Sequence, residues 1–83
     1  MSRMTVYIPE ISDVAEFVNI MASCPYEAQL TVGSYSVDAK SIMGIFTLDR
    51  CQPVELDVET SDSNEVAKLS GALKKFLRQP MQS

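Results

Sequence analysis

Along the chain, apolar side chains recur at two spacings, and the spacing changes wherever a proline, a glycine or a capping residue intervenes. Val6, Tyr7 and Ile8 belong to a short apolar run from Met4 to Ile8 that Pro9 closes, which predicts a first strand. Asp13 with Glu16 three residues later matches a capping box. Val14, Phe17, Val18 and Met21 follow at helical spacing, so a helix is predicted over 13–23, before Pro25. Ala28, Leu30 and Val32 alternate with Gln29 and Thr31, Gly33-Ser34 supplies a turn, and Tyr35 and Val37 resume the alternation, predicting a hairpin. Val54, Leu56 and Val58 alternate with Glu55, Asp57 and Glu59, a fourth strand with one acidic face toward water. Asp62 and Glu65 then open a last helix, predicted over 63–78, whose apolar face is Val66, Leu69, Leu73, Phe76 and Leu77.

Four strands that are each polar on one side, and helices with single apolar faces, are most simply satisfied by an antiparallel sheet with helices packed on one face, an α+β fold. The 83 residues form one domain, with a core over about 4–78 and a polar tail, 79–83, expected to fray. A chain of this size buries about 60–65% of the surface it exposes when unfolded, which leaves little room for a deep cleft.

Charge and composition narrow the function. A net charge of −4 argues against binding nucleic acid through its phosphates. The basic cluster Lys74, Lys75 and Arg78 falls near the predicted end of the last helix, where cations suit the dipole. No apolar run is long enough to cross a bilayer, and the first residues lack the apolar stretch of a signal peptide, so a cytoplasmic protein without membrane contact is expected. Cys24 and Cys51 are expected as reduced thiols, since a small secreted domain relying on disulfides usually carries more. The chain contains no histidine, which removes Ser-His-Asp and Cys-His catalysis; two cysteines far apart in sequence make a closed zinc site implausible, and three glycines do not supply a phosphate-cradling loop. No cofactor, no metal and no enzyme activity are expected.

The segment AKSIMGIFTLD, residues 39–49, stands apart. Ser41 is placed to cap a helical turn or two ending near Leu48, its hydroxyl accepting from the N–H of Met43 or Gly44. On that turn Ile42, Ile45 and Phe46 share one side while Met43 points away, so part of the cluster is left near solvent. Clustered exposed apolar groups that include a methionine suit a docking patch. A phosphate on Ser41 would add about −1.5 to −2 charges beside that patch, with Lys40 adjacent.

At this point VDAKSIMGIFTL resembles the segment around the regulatory serine of HPr, the phosphocarrier of the bacterial sugar phosphotransferase system, and the order of elements is similar over nearly the whole chain. The resemblance implies an HPr-like open-faced β-sandwich, with a four-stranded antiparallel sheet and three helices on one face in the order βαββαβα. It implies that Ser41 corresponds to the serine phosphorylated by HPr kinase in many Gram-positive bacteria. Lys40, Ile42, Met43 and Phe46 would be the partner-binding surface.

The family carries its phosphoryl group on a histidine in a His-x-Arg-Pro motif at the start of the first helix. Here that histidine falls on Ile11 or Ser12, and Asp13 falls on the arginine. An aliphatic side chain takes no phosphate, and a serine ester is too stable to pass one on at relay rates. A carboxylate near the incoming group costs on the order of 4 kcal/mol at ~4 Å and an effective dielectric of ~20. Ile11, Ser12 and Asp13 thus read as a degenerate carrier site. The expected function is regulatory, through Ser41 phosphorylation and the docking patch, with HPr kinase or a transcriptional regulator as partner. The family's catabolite-repression variant, with glutamine for the histidine, follows the same logic. The alternative is a binding module that is not phosphorylated and that meets another protein, or a second copy in a weak homodimer, through Ile42, Met43 and Phe46.

Overall fold

A computed structural model describes residues 2–78. The elements run β1 (Ser2–Val6), α1 (Ile11–Ala22), β2 (Ala28–Val32), β3 (Tyr35–Asp38), α2 (Ile42–Phe46), β4 (Val54–Val58) and α3 (Ser63–Ala72), followed by a 3₁₀ turn, Lys74–Phe76. The strands form one sheet in the order β1-β4-β2-β3, with every neighbouring pair antiparallel.

The alternation in β4 shows how the layers form. Val54, Leu56 and Val58 are buried under the helices, while Glu55 and Glu59 are exposed. On the open face Arg3 Nε donates to Asp57 at 2.6 Å, an arrangement that raises the Arg3 pKa above its ordinary value, first through that hydrogen bond and then through charge. Phe17 of α1 and Phe76 of the 3₁₀ turn, both buried, meet edge to face at 6.2 Å between ring centroids. Burial of two such rings contributes several kcal/mol, on the order of 1.5–3 each. Gly33 turns the β2–β3 hairpin at φ 60°, a left-handed conformation that favours glycine.

Several element boundaries differ from the sequence expectation. The first strand spans Ser2–Val6 and not Met4–Ile8, because its partner β4 begins at Val54, opposite Val6, directly after Pro53. Tyr7 instead donates its N–H to the Phe76 carbonyl at 2.8 Å, and Ile8 is buried outside the sheet. The first helix starts at Ile11, two residues early. Glu10 is its N-cap, and Asp13, expected as the cap, occupies the third helical position and accepts the Glu10 N–H at 3.3 Å. Glu16, the expected second half of that box, reaches Lys75 at 2.8 Å instead.

The last helix ends at Ala72 rather than 78. Ser70 turns its hydroxyl onto the Val66 and Ala67 carbonyls and Gly71 follows, two residues that weaken a helix interior. Leu73 and Phe76 still reach the core, but through the 3₁₀ turn. Leu77 then bridges Val6, and Arg78 donates its N–H to the Thr5 carbonyl, so residues 76–78 cover part of the outer edge of β1. Lys74, Lys75 and Arg78 therefore do not serve the dipole of a long helix: Lys75 pairs with Glu16, and the Arg78 guanidinium stands 5.3 Å from the Tyr7 ring centroid. Asp62 caps α3 as expected, accepting from Asn64 at 2.9 Å and Glu65 at 3.4 Å. Its own N–H goes to Thr60 Oγ1, and Glu65 turns to Lys68. The expected fraying of 79–83 lies outside the described residues.

Candidate functional site

The short helix α2 exists because Ser41 starts it. Ser41 stands in extended backbone, and its Oγ accepts from the Gly44 N–H at 3.1 Å, the second of the two partners the sequence offered. Thr47 closes the far end, its N–H bonding to Gly44 O at 3.1 Å and its Oγ1 donating to the same carbonyl at 2.6 Å. The helix ends at Phe46, short of the expected run to Leu48, although Leu48 is itself buried. A Cβ on Gly44 would lie 3.3 Å from both Ser41 Oγ and Val37 Cβ, so the missing side chain lets α2 lie close over β3.

With the backbone held this way, Ile45 is fully buried and its neighbours turn outward. Met43 is 71% exposed, and Ile42 and Phe46 are 37% exposed each. Tyr35, which sequence reasoning placed only in a strand, extends the apolar surface: it is 52% exposed, and its Oη lies 3.0 Å from Thr47 Oγ1. No sequence signal joined them, because the contact depends on the crossing of α2 over the hairpin.

At the other end of α2, Arg50 ties the site to the start of α1. Its guanidinium stands 5.4 Å from the Phe46 ring centroid, and Nη1 donates to the Pro9 carbonyl at 2.8 Å. Its Nε is buried without a hydrogen-bond partner. Two residues beyond Pro9, Ile11 is 68% exposed, and Ser12 beside it is exposed as well. Asp13 is half-buried, with its carboxylate on the Glu10 N–H. The first turn of α1 thus presents an aliphatic side chain, a hydroxyl and carboxylates. It contains no histidine.

Lys40 is placed differently from the rest of the expected partner surface. Its Nζ reaches back to the Cys24 carbonyl at 2.7 Å, just past the end of α1, and its N–H is held by Asp38 at 2.9 Å. Lys40 therefore fastens the Ser41 turn to α1. Ser41, Ile42, Met43 and Phe46 lie together on α2, while Ile11, Ser12 and Asp13 lie on α1, joined to them by the relay Phe46–Arg50–Pro9. Cys24 is half-buried, Cys51 is exposed, and both are free thiols. Among the described residues no cluster of histidine, cysteine or carboxylate side chains is arranged to hold a metal ion. No described helix is long and apolar enough to cross a membrane.

Comparison with known proteins gives this geometry a context. The family model for the PTS HPr component phosphorylation site matches residues 13–79, a span that begins after Ile11 and Ser12. The structure is similar to that of HPr-C-His from Thermoanaerobacter tengcongensis, with a TM-score of 0.72 and 25% identity over 90% of this chain and 93% of that one. It is also similar to the phosphocarrier protein HPr of Bacillus anthracis, with a TM-score of 0.66 and 23% identity over 87% of this chain and 93% of that one. No curated protein sequence matches the chain.

Proposed function

Because the chain belongs to the HPr family of the sugar phosphotransferase system, we propose that it is a regulatory member of that family: it carries no phosphate on histidine and signals through Ser41 and the apolar patch on α2. The observation that carries this reading is the pairing of a complete Ser41-capped turn, with Met43, Ile42 and Phe46 turned outward, and a first helical turn without any histidine. In a histidine carrier, a neutral imidazole nitrogen attacks the donor's phosphorus and later gives the group up. Ile11 has no lone pair to offer, and a phosphate ester on Ser12 would stay where it formed. Asp13 and Glu10 add negative charge where the phosphoryl group would arrive, which opposes it further.

Ser41 chemistry is different in kind, because a regulatory ester needs only to form and persist. Its Oγ attacks the γ-phosphorus of ATP, the hydroxyl proton leaves, and ADP departs. The product keeps phosphate oxygens that can accept the Gly44 N–H in place of the hydroxyl, so α2 retains its start while about −1.5 to −2 charges appear next to the patch. The protein is a cytoplasmic partner-binding protein and not a catalyst in this reading.

Incubation with HPr kinase and ATP tests it. Mass spectrometry is expected to find one added phosphate on Ser41, and incubation with enzyme I and phosphoenolpyruvate is expected to leave the chain unlabelled. Absence of Ser41 labelling, while authentic HPr labels in parallel, removes the regulatory reading and leaves the non-phosphorylated binding module. Rapid, reversible labelling by enzyme I removes both.

A further inference from the structure

The five large apolar side chains that are exposed among the described residues are Ile11, Tyr35, Ile42, Met43 and Phe46. They are not scattered. Three are on α2, Tyr35 is tied to the end of α2 through Thr47, and Ile11 adjoins it through Pro9 and Arg50. Monomers expose single apolar side chains freely, but a gathered set marks a contact face.

The charge around this face decides what can cover it. Glu10, Asp13 and Asp49 stand at the junction of α1 and α2. Their bonds are to uncharged donors: Asp13 takes the Glu10 N–H, and Asp49 takes the Cys51 N–H and the Gln52 side-chain amide at 3.0 Å. Those bonds leave the negative charges in place. The nearby cations, Arg50 and Lys40, are half-buried and number two against these three carboxylates, of which Glu10 and Asp49 are exposed. Arg50 is spent on Pro9 and the Phe46 ring with its Nε buried, and the Lys40 amine lies on the Cys24 carbonyl. An apolar centre is therefore bordered by carboxylates at its α1 end.

We infer that this face receives a partner protein whose apolar contact surface is ringed by lysine and arginine side chains. A second copy of the chain does not fit, since apposing two such faces would set carboxylates against carboxylates in a protein already at net −4. This inference rests on the docking patch of the proposed function and adds the sign of charge its partner carries. A phosphate on Ser41 would add to that sign and strengthen the contact.

Two synthetic amphipathic helical peptides test it, identical along a Leu/Phe face and flanked by lysine in one and glutamate in the other. Binding is read by fluorescence anisotropy and by backbone amide NMR shifts. The lysine peptide is expected to bind at least tenfold more tightly at low salt, with shifts centred on residues 11, 35, 42, 43 and 46, and the advantage is expected to shrink as salt rises. Glu10→Gln with Asp13→Asn and Asp49→Asn keeps the local hydrogen-bonding oxygens and is expected to abolish the discrimination. Met43→Ser with Phe46→Ser is expected to weaken the lysine peptide at least tenfold. Equal or tighter binding of the glutamate peptide overturns the charge assignment and leaves the patch standing. Binding of neither peptide, or lysine-peptide binding that the Ser substitutions do not weaken, overturns the patch itself; Ser41 labelling by the kinase is read independently of both.

Discussion

Ser41 has a structural task apart from any modification, and the two can be separated by substitution. Ser41→Ala removes the acceptor for the Gly44 N–H and is expected to lower stability by about 1 kcal/mol, measured by urea denaturation. Ser41→Asp restores a capping oxygen and is expected to recover most of that loss. Within the same helix, Met43 and Ile45 divide the roles of surface and core. Met43→Ser is expected to change stability by no more than about 0.5 kcal/mol, whereas Ile45→Ala is expected to cost about 2–5 kcal/mol. Similar losses at the two positions would mean that the exposed methionine is part of the fold. The cap could be read from KSIMGIF because it depends on neighbours within four residues, but the inward side could not: spacing puts Ile42, Ile45 and Phe46 on one side, and only Ile45 is buried. The Lys40 amine on the Cys24 carbonyl spans sixteen positions of chain and has no local signature.

At the level of elements, apolar spacing located every strand and helix but misjudged where several begin and end. The first helix shows why. An Asp-x-x-Glu pattern marks a cap, yet Glu10 can fill that place two residues earlier, with Asp13 as its reciprocal partner, and local pattern alone does not choose between the two starts. At the last helix the apolar positions were right and the element was not. Leu73 and Phe76 reach the core, but Ser70 and Gly71 allow the chain to leave the helix and return along β1. Phe76→Ala is therefore expected to cost about 3–5 kcal/mol, through the cavity beside Phe17, with faster amide exchange at Tyr7, whose N–H it helps to hold. In the hairpin, an added Cβ at Gly33 meets nothing within 4 Å, so Gly33→Ala isolates the conformational cost, expected at roughly 1–2 kcal/mol in the same denaturation experiment.

For the whole molecule, the fold class followed from one-sided strands and one-sided helices, but the strand order β1-β4-β2-β3 did not, since nothing local says that β4 inserts between the first and second strands. That insertion also makes β3 an edge strand, and so puts Tyr35 beneath the end of α2. The charge distribution belongs to this scale too. With net charge −4 and carboxylates at the α1 end of the exposed apolar face, the chain is expected to sediment as a monomer at low salt over the micromolar range. Concentration-dependent dimerisation that Met43→Lys abolishes would favour self-association instead.

The hydroxyl contact between Tyr35 and Thr47 gives the molecule an optical signal of its own. The chain has no tryptophan and three tyrosines, so its near-ultraviolet emission comes from phenol rings, and the one at position 35 borders the apolar face. Tyr7 and Tyr26 are half-buried, Tyr7 beneath the Arg78 guanidinium. Anything that seats itself against α2 changes the surroundings of Tyr35 first, so occupancy of that face can be followed in the unlabelled protein, with Tyr35→Phe as the blank.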